Sequence, residues 1–301
     1  MSKTLFPALA RMCLCALITA PAAALAQEPS TSTTPPAPAP DASANSRTVA
    51  SPQSAVRSPQ SAEAPAPKSD ERAEEVLRRA VEALGGAAYL DVRTVVSRGN
   101  FTPYKDGVAT LPIRFEDFLV FPDRERTEFS GTGLRSIQTN TGETGWIADL
   151  KAKKILDVTP QQAADFRTSL RASLDNILRG WWRAEGAALA YVGRREAGVG
   201  RRNEAVRLSY PDGFVVEFEF GARDALPAKA LYRKQNNEGD LVEEEDRYAQ
   251  FQTVGTVRAP FIIDHFRAGL QSSRVNFESV EFNRPVPEAF FTRPTDIKAI
   301  K

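Results

Sequence analysis

The sequence predicts an α+β fold built on a strongly curved antiparallel sheet that encloses an interior. The first observation is a series of about a dozen short segments with period-two hydrophobicity, joined by short turns. The second is one long helical segment, residues 159–185, which interrupts this series. So many strands with a single helical interruption predict a sheet that curves around a core or a cavity.

The helical segment 159–185 carries its large apolar side chains at helical spacing, which places them on one face. These side chains are Phe166, Leu170, Leu174, Ile177, Leu178, Trp181 and Trp182. Because strands precede and follow the segment, we expect the concave side of the sheet to cover this face, with the helix as a plug or lid. Gly180 is a candidate hinge. Two adjacent indoles cannot share one packing site, so one of them should lie at the entrance.

The strands supply further candidates for an apolar lining. Phe214 and Phe218 alternate along the segment 214–221 and face one way, as period-two spacing requires. Phe115 and Trp146 are the candidates from two strands that precede the helical segment. We predict that these four aromatic side chains line the interior together with the apolar face of the helix.

The first residues have the pattern of a secretory leader. Lys3 and Arg11 precede an apolar run, and small residues before position 27 predict a cleavable signal peptide, residues 1–26, with cleavage after Ala26. A membrane anchor is the alternative, but the run is short for a span and contains Pro21. The sequence therefore predicts export to the periplasm.

A linker and one folded domain follow the leader. Residues 27–68 are rich in Pro, Ala, Ser and Thr and have almost no large apolar side chains, so we expect a disordered linker that acts as a tether or as filler. The domain is predicted to span residues 69–301. It begins with a helix that Asp70 caps and Gly85 ends.

Composition excludes several classes of function. The chain has 39 basic and 38 acidic residues, and removal of the leader leaves 37 against 38, so nothing favours a nucleic-acid partner. The 2 cysteines lie in the leader, which leaves no thiol for a disulfide, a metal site or a nucleophile in the mature chain.

The sequence offers no set of catalytic residues. His265 is the 1 histidine, and the adjacent Asp264 points to the opposite face of its strand, so we expect a histidine at a strand surface or rim. One imidazole without thiolates also makes a metal centre improbable. The acidic run 243–246 alternates across a strand and is predicted to be a solvated edge that discourages strand pairing. No catalytic group, metal or cofactor is predicted.

Three short motifs and the order of the elements carry a family resemblance. Residues 143–146 (ETGW), 224–227 (DALP) and 290–294 (FFTRP) follow one another through two meanders that flank the internal helical segment. In this order the chain resembles the bacterial periplasmic lipoprotein-carrier superfamily, the LolA/LolB-like proteins of outer-membrane lipoprotein sorting. The resemblance implies an unclosed antiparallel β-barrel around internal lid helices, with an N-terminal helix and an acyl-chain cavity.

The resemblance also implies non-covalent binding of a lipid or an acylated protein. No motif identifies the arginine that would latch the lid; Arg167, Arg171, Arg179 and Arg183 are the basic residues on or near it. The leading hypothesis is a periplasmic carrier or sensor for a hydrophobic small molecule or for lipoprotein acyl chains. The alternative is a non-enzymatic structural or interaction module of the envelope, with a filled core and a protein partner.

Overall fold

The computed structural model describes residues 69–131, 133–236 and 238–300. The predicted signal peptide and linker, residues 1–26 and 27–68, lie outside the described residues. The helices are α1 (Glu71–Leu84), α2 (Ala87–Leu90), α3 (Pro160–Arg171) and α4 (Leu174–Arg179), with 3-10 turns at Trp181–Glu185, Glu288–Phe290 and Ile297–Ala299. The strands are β1 (Thr94–Lys105), β2 (Val108–Ala109), β3 (Ile113–Val120), β4 (Arg124–Gly131), β5 (Leu134–Thr141), β6 (Gly145–Asp149), β7 (Lys154–Asp157), β8 (Ala188–Glu196), β9 (Arg202–Ser209), β10 (Val215–Gly221), β11 (Pro227–Gln235), β12 (Leu241–Val254), β13 (Val257–Arg267) and β14 (Leu270–Phe282).

The strands form one antiparallel sheet whose two meanders meet at its centre. The order is β7-β6-β5-β4-β3-β1-β14-β13-β12-β11-β10-β9-β8, with the short β2 paired beside β1. Pairing of β1 with β14 joins the meanders, for example Val95 opposite Phe282. The end strands β7 and β8 each have a single neighbour, so the barrel is unclosed. The predicted fold class is confirmed.

The central helical segment is divided where the prediction had one continuous helix. Thr159 caps α3 with a capping box, and α3 ends at Ala172. Ser173 then caps α4 by accepting a hydrogen bond from the Asn176 N–H at 3.1 Å. Gly180, in the left-handed conformation at φ 74°, ends α4. The single-helix prediction was wrong because Ser173 and Gly180 offer cap groups that favour new helix ends over continuation.

The concave side of the sheet is filled by α1, α4 and the turn that follows α4. Asp70 caps α1 as predicted and also accepts a hydrogen bond from the Tyr191 N–H at 3.1 Å, which fixes α1 on β8. The apolar face of α1 and the side chains of α4 pack in one cluster with inward-facing strand residues. Buried members of this cluster are Val76, Leu77, Leu84, Leu174, Ile177, Leu178, Trp182, Val206, Phe218, Ile263 and Val275.

A second layer covers the outer face of β3 to β6. The chain after β14 crosses this face and packs Phe290 edge-on against Phe118, with ring centroids 5.0 Å apart. The Trp146 indole N–H donates to the Phe291 carbonyl at 3.2 Å. Trp146 belongs to a separate small cluster with Ile137, against which Ile297 packs. The terminal segment therefore stabilises the convex side of the first meander.

Gly85 allows the end of α1 to lie against the β12–β13 hairpin. Its φ is +125°, and a Cβ atom there would meet the Thr256 carbonyl oxygen at 2.5 Å. We expect Gly85→Ala to lower the free energy of unfolding by about 2 to 4 kcal/mol, since backbone strain and a clash with main chain add. Gly213→Ala is the control, because its φ of +87° is unfavourable but a Cβ meets nothing within 4 Å. Equal losses for the two variants in urea unfolding would contradict the close approach.

Candidate functional site

A cavity lies between the central strands and the internal helices. It contains about 780 Å³ of empty space, part of which is open to solvent. The centres of water-sized molecules can occupy about 100 Å³ of this space. Most of the lining is apolar. The lining residues are Leu84, Tyr89 and Val92 near α1 and α2; Leu174, Asp175 and Arg179 from α4; and Val95, Ser97, Asp117, Leu119, Phe121, Pro227, Phe251, Val257, Arg258, Ala259, Pro260, Ile263, Phe277, Val280 and Phe282 from the sheet and its turns.

Asp117 is a buried carboxyl group in the wall of this cavity. It accepts a hydrogen bond from the Thr127 hydroxyl at 2.7 Å. Its pKa is raised well above the usual value, first by burial and then by the charge of Glu125, which lies on the next strand opposite Leu119. Burial thus favours the protonated form of Asp117, which would add a polar but uncharged group to the wall.

Arg179 fastens α4 to the segment between α2 and β1. Its guanidinium donates to the carbonyl oxygens of Tyr89, Leu90 and Val92 at 3.0 Å each, and its Nε donates to Asp175 at 2.8 Å. Its side chain is only 5% exposed. The same Asp175 oxygen accepts from the Tyr89 hydroxyl at 2.9 Å. The positive charge of Arg179 is therefore compensated, and most of its donors are used inside the protein.

Arg179 is also surrounded by aromatic rings. Its guanidinium carbon lies 4.4 Å from the Phe121 centroid, 4.8 Å from that of Tyr89 and 5.6 Å from that of Trp181. Stacking on ring faces stabilises a guanidinium that is withdrawn from water. These contacts form a latch between α4 and α2, made by a residue that the sequence motifs could not single out.

Replacement of Arg179 should loosen the lid. We expect Arg179→Gln to lower the free energy of unfolding by about 2 to 4 kcal/mol, because three carbonyls and a buried carboxylate lose their donor. Hydrogen exchange should accelerate in α2 and α4. Arg167→Gln, which removes an exposed arginine from α3, is the control and should change stability by less than about 0.5 kcal/mol. Unchanged exchange in α4 of the Arg179 variant would contradict the latch.

The predicted apolar face of the lid divides into two groups. Leu174 lines the cavity, whereas Ile177, Leu178 and Trp182 lie in the packed core. Trp182 is 1% exposed and donates its indole N–H to the Ile177 carbonyl at 3.2 Å. Trp181 is half-buried, and its ring centroid lies 5.6 Å from that of Phe121 in the cavity wall. In α3, Phe166 is buried and Leu170 is half-buried.

The four aromatic side chains that were predicted from the strands to line the interior lie in different environments. Phe115 lies 5.7 Å, centroid to centroid, from the cavity residue Phe277. Phe218 is in the packed core, and Phe214 packs against its margin. Trp146 does not join them, because β6 turns this side chain to the convex face, where the C-terminal segment covers it. The sequence analysis missed Tyr89 and Asp117, and it named Arg179 only as one of four basic residues on or near the lid.

A second group of buried polar side chains lies on the inward face of β11 to β13. The His265 Nδ1 atom is 2.6 Å from Asp246 Oδ1, and both side chains are 3% exposed. Glu244 Oε1 lies 3.9 Å from Lys234 Nζ and 3.6 Å from Arg267 Nε. The predictions of a histidine at a strand surface and of a solvated acidic edge were therefore wrong. β12 is an interior strand and not an edge, and Glu244 and Asp246 are buried on the same face of β12 as the core residue Tyr248.

Burial raises the pKa of Glu244 to about 7, against the lowering effect of Lys234 and Arg267. A carboxyl whose folded-state pKa lies above its unfolded value favours folding while it is protonated. Stability should thus fall as the pH rises from about 4.5 to about 7, by up to about 3 kcal/mol.

Glu244→Gln should flatten this part of the pH profile in urea unfolding. Glu243→Gln, on the outward face of the same strand and paired with Arg233, is the control and should keep the wild-type profile. A wild-type stability that rises from pH 4.5 to 7 and does not respond to Glu244→Gln would contradict the assignment.

Two features, a metal-binding group and a membrane-spanning helix, are absent from the described residues. Among residues 69–131, 133–236 and 238–300, no group of three or more histidine or acidic side chains is arranged to hold a metal ion. In the same part of the chain, no helix combines the length and hydrophobicity needed to cross a bilayer.

Comparison with known proteins identifies structural neighbours. No protein-family model and no curated protein sequence matches the chain. A solved DUF1329-family protein from Desulfovibrio piger is similar over 76% of this chain and 99% of its own, with a TM-score of 0.53 and 11% sequence identity. A LolA-superfamily protein from Nitrosomonas europaea covers 73% of this chain and 97% of its own, with a TM-score of 0.49 and 14% identity.

The chain has a LolA-like fold. At these sequence identities the neighbours support the fold alone. The architecture agrees with the unclosed antiparallel barrel, N-terminal helix and internal helices that the sequence resemblance implies.

Proposed function

We propose that this chain is a non-enzymatic periplasmic binding protein, a carrier or sensor for a hydrophobic ligand such as a lipid or the acyl chain of a lipoprotein. The supporting observation is the cavity between α4 and the centre of the sheet. Its lining is mainly apolar with a few polar groups, which is the usual character of a site for an amphiphilic small molecule.

Ligand entry requires the lid to move. Only about 100 Å³ of the cavity is accessible to the centres of water-sized molecules, which is less than a pocket that encloses a whole ligand provides. The side of the cavity that can yield is α4, because it is a short helix held by Arg179 and ended by the left-handed Gly180. Release of the Arg179 contacts would let α4 withdraw from α2 and widen the space.

A structural or interaction module with a filled core is the second candidate. It is favoured by Ile177, Leu178 and Trp182, which are packed in the core and are not available to a ligand. In this case the cavity would be a packing defect, and the functional surface would bind an envelope protein.

The two tryptophans distinguish the candidates. We expect Trp181→Ala to weaken binding of an environment-sensitive fluorescent acyl probe about five- to tenfold, because its ring packs on the cavity residue Phe121. The same variant should lose only about 1 kcal/mol of unfolding free energy, as its ring is half-buried. Trp182→Ala should instead lose about 3 to 5 kcal/mol.

Trp181→Phe is the conservative control and should retain most of the probe affinity. Absence of probe binding by the wild-type chain, together with ordinary destabilisation of both alanine variants, would favour the filled-core module.

A further inference from the structure

The charges around the cavity are compensated with one exception. Arg179 is neutralised by Asp175, with its Nε 2.8 Å from the carboxylate. Burial holds the pKa values of both Asp117 and Tyr89 well above their usual values, which favours the uncharged forms of the two side chains. The remaining charged group in the lining is Arg258.

Arg258 has no partner among the described residues. It lies on β13 directly after the turn from β12, opposite Thr253, and its side chain is half-buried. No described carboxylate forms an ion pair with it. This differs from the arginines of β14 and β12, since Arg274 binds Asp264 and Arg247 binds Glu245. The described residues therefore supply no counter-charge to Arg258, a half-buried residue in the lining of an apolar cavity.

The apolar wall and Arg258 are suitably arranged for an amphiphile. Val257, Phe251 and Phe277 line the same cavity as Arg258 and would contact a hydrocarbon chain. A guanidinium binds carboxylate and phosphate oxygens through parallel N–H donors, and such contacts strengthen next to low-dielectric surroundings. A cationic headgroup would meet both Arg258 and Arg179, while an uncharged headgroup would leave Arg258 unpaired.

We propose that the cavity binds an amphiphile with an anionic headgroup, with the hydrocarbon chain inside the cavity and the carboxylate or phosphate group on Arg258 at its rim. This inference rests on the proposed binding function and specifies the ligand class. Carboxylate and phosphate headgroups share the chemistry that Arg258 recognises. The experiment must therefore compare a fatty acid, which carries a carboxylate, with a phospholipid-like ligand, which carries a phosphate.

The test uses four ligands with the same twelve-carbon chain, each below its micelle concentration, and isothermal titration calorimetry of the mature protein. The ligands are dodecanoate, dodecyl phosphate, dodecanol and dodecylammonium. We expect at least one anion to bind about tenfold more tightly than dodecanol, with dodecylammonium weakest, as one charge-assisted contact predicts. The preference should decline with added salt. Whichever of dodecanoate and dodecyl phosphate binds more tightly identifies the headgroup as a carboxylate or as a phosphate.

Two arginine variants complete the experiment. Arg258→Gln should reduce anion affinity to that of dodecanol and leave dodecanol affinity unchanged. Arg135→Gln removes an equally positive but exposed side chain on β5, away from the cavity lining, and should preserve the anion preference. Equal affinity for anions and dodecanol, or an anion preference that survives Arg258→Gln, would overturn the headgroup assignment while the binding function stands. If none of the four ligands binds, the proposed function fails and this inference fails with it.

Discussion

The pairing of β1 with β14 is the constraint on which the rest of the structure depends. It joins two meanders that are distant in sequence and places the first and last long strands at the centre of the sheet. The contact is close at Gly99, where the register shifts and a Cβ atom would lie 2.0 Å from the Asn276 carbonyl oxygen. Because α2 ends only a few residues before β1, this pairing also fixes α2 beside the interior. The cavity forms where α2, β1 and β14 meet α4.

Polar groups in this interior are arranged so that few charges remain uncompensated. Arg179 combines one carboxylate, three carbonyls and neighbouring rings, an arrangement that offsets the cost of removing a guanidinium from water. Burial raises the pKa of Asp117, which favours its uncharged form and reduces that cost. If α4 moves as the proposed lid, these directional contacts, which either form or break, separate its closed state from an open one.

The fold could be predicted from the sequence to a large extent, and the polar site could not. Period-two spacing located nearly every strand, since one face of each strand packs inward and the pattern is local. The buried positions of His265 and Glu244 depend on which face of β12 and β13 turns to the packed interior, which is a property of the assembled sheet and not of any local pattern. Trp146 was misplaced for a related reason, because the C-terminal segment gives the convex face a core of its own.

The apolar face of the lid explains why the sequence could support both a container and a filled core. Periodicity assigned Leu174, Ile177, Trp181 and Trp182 to one face, but that face has two environments. Ile177 and Trp182 pack in the core and hold the segment in place, whereas Leu174 lines the cavity and Trp181 contacts Phe121 in its wall. A lid built in this way can expose a cavity on one side while its other side remains anchored in the barrel.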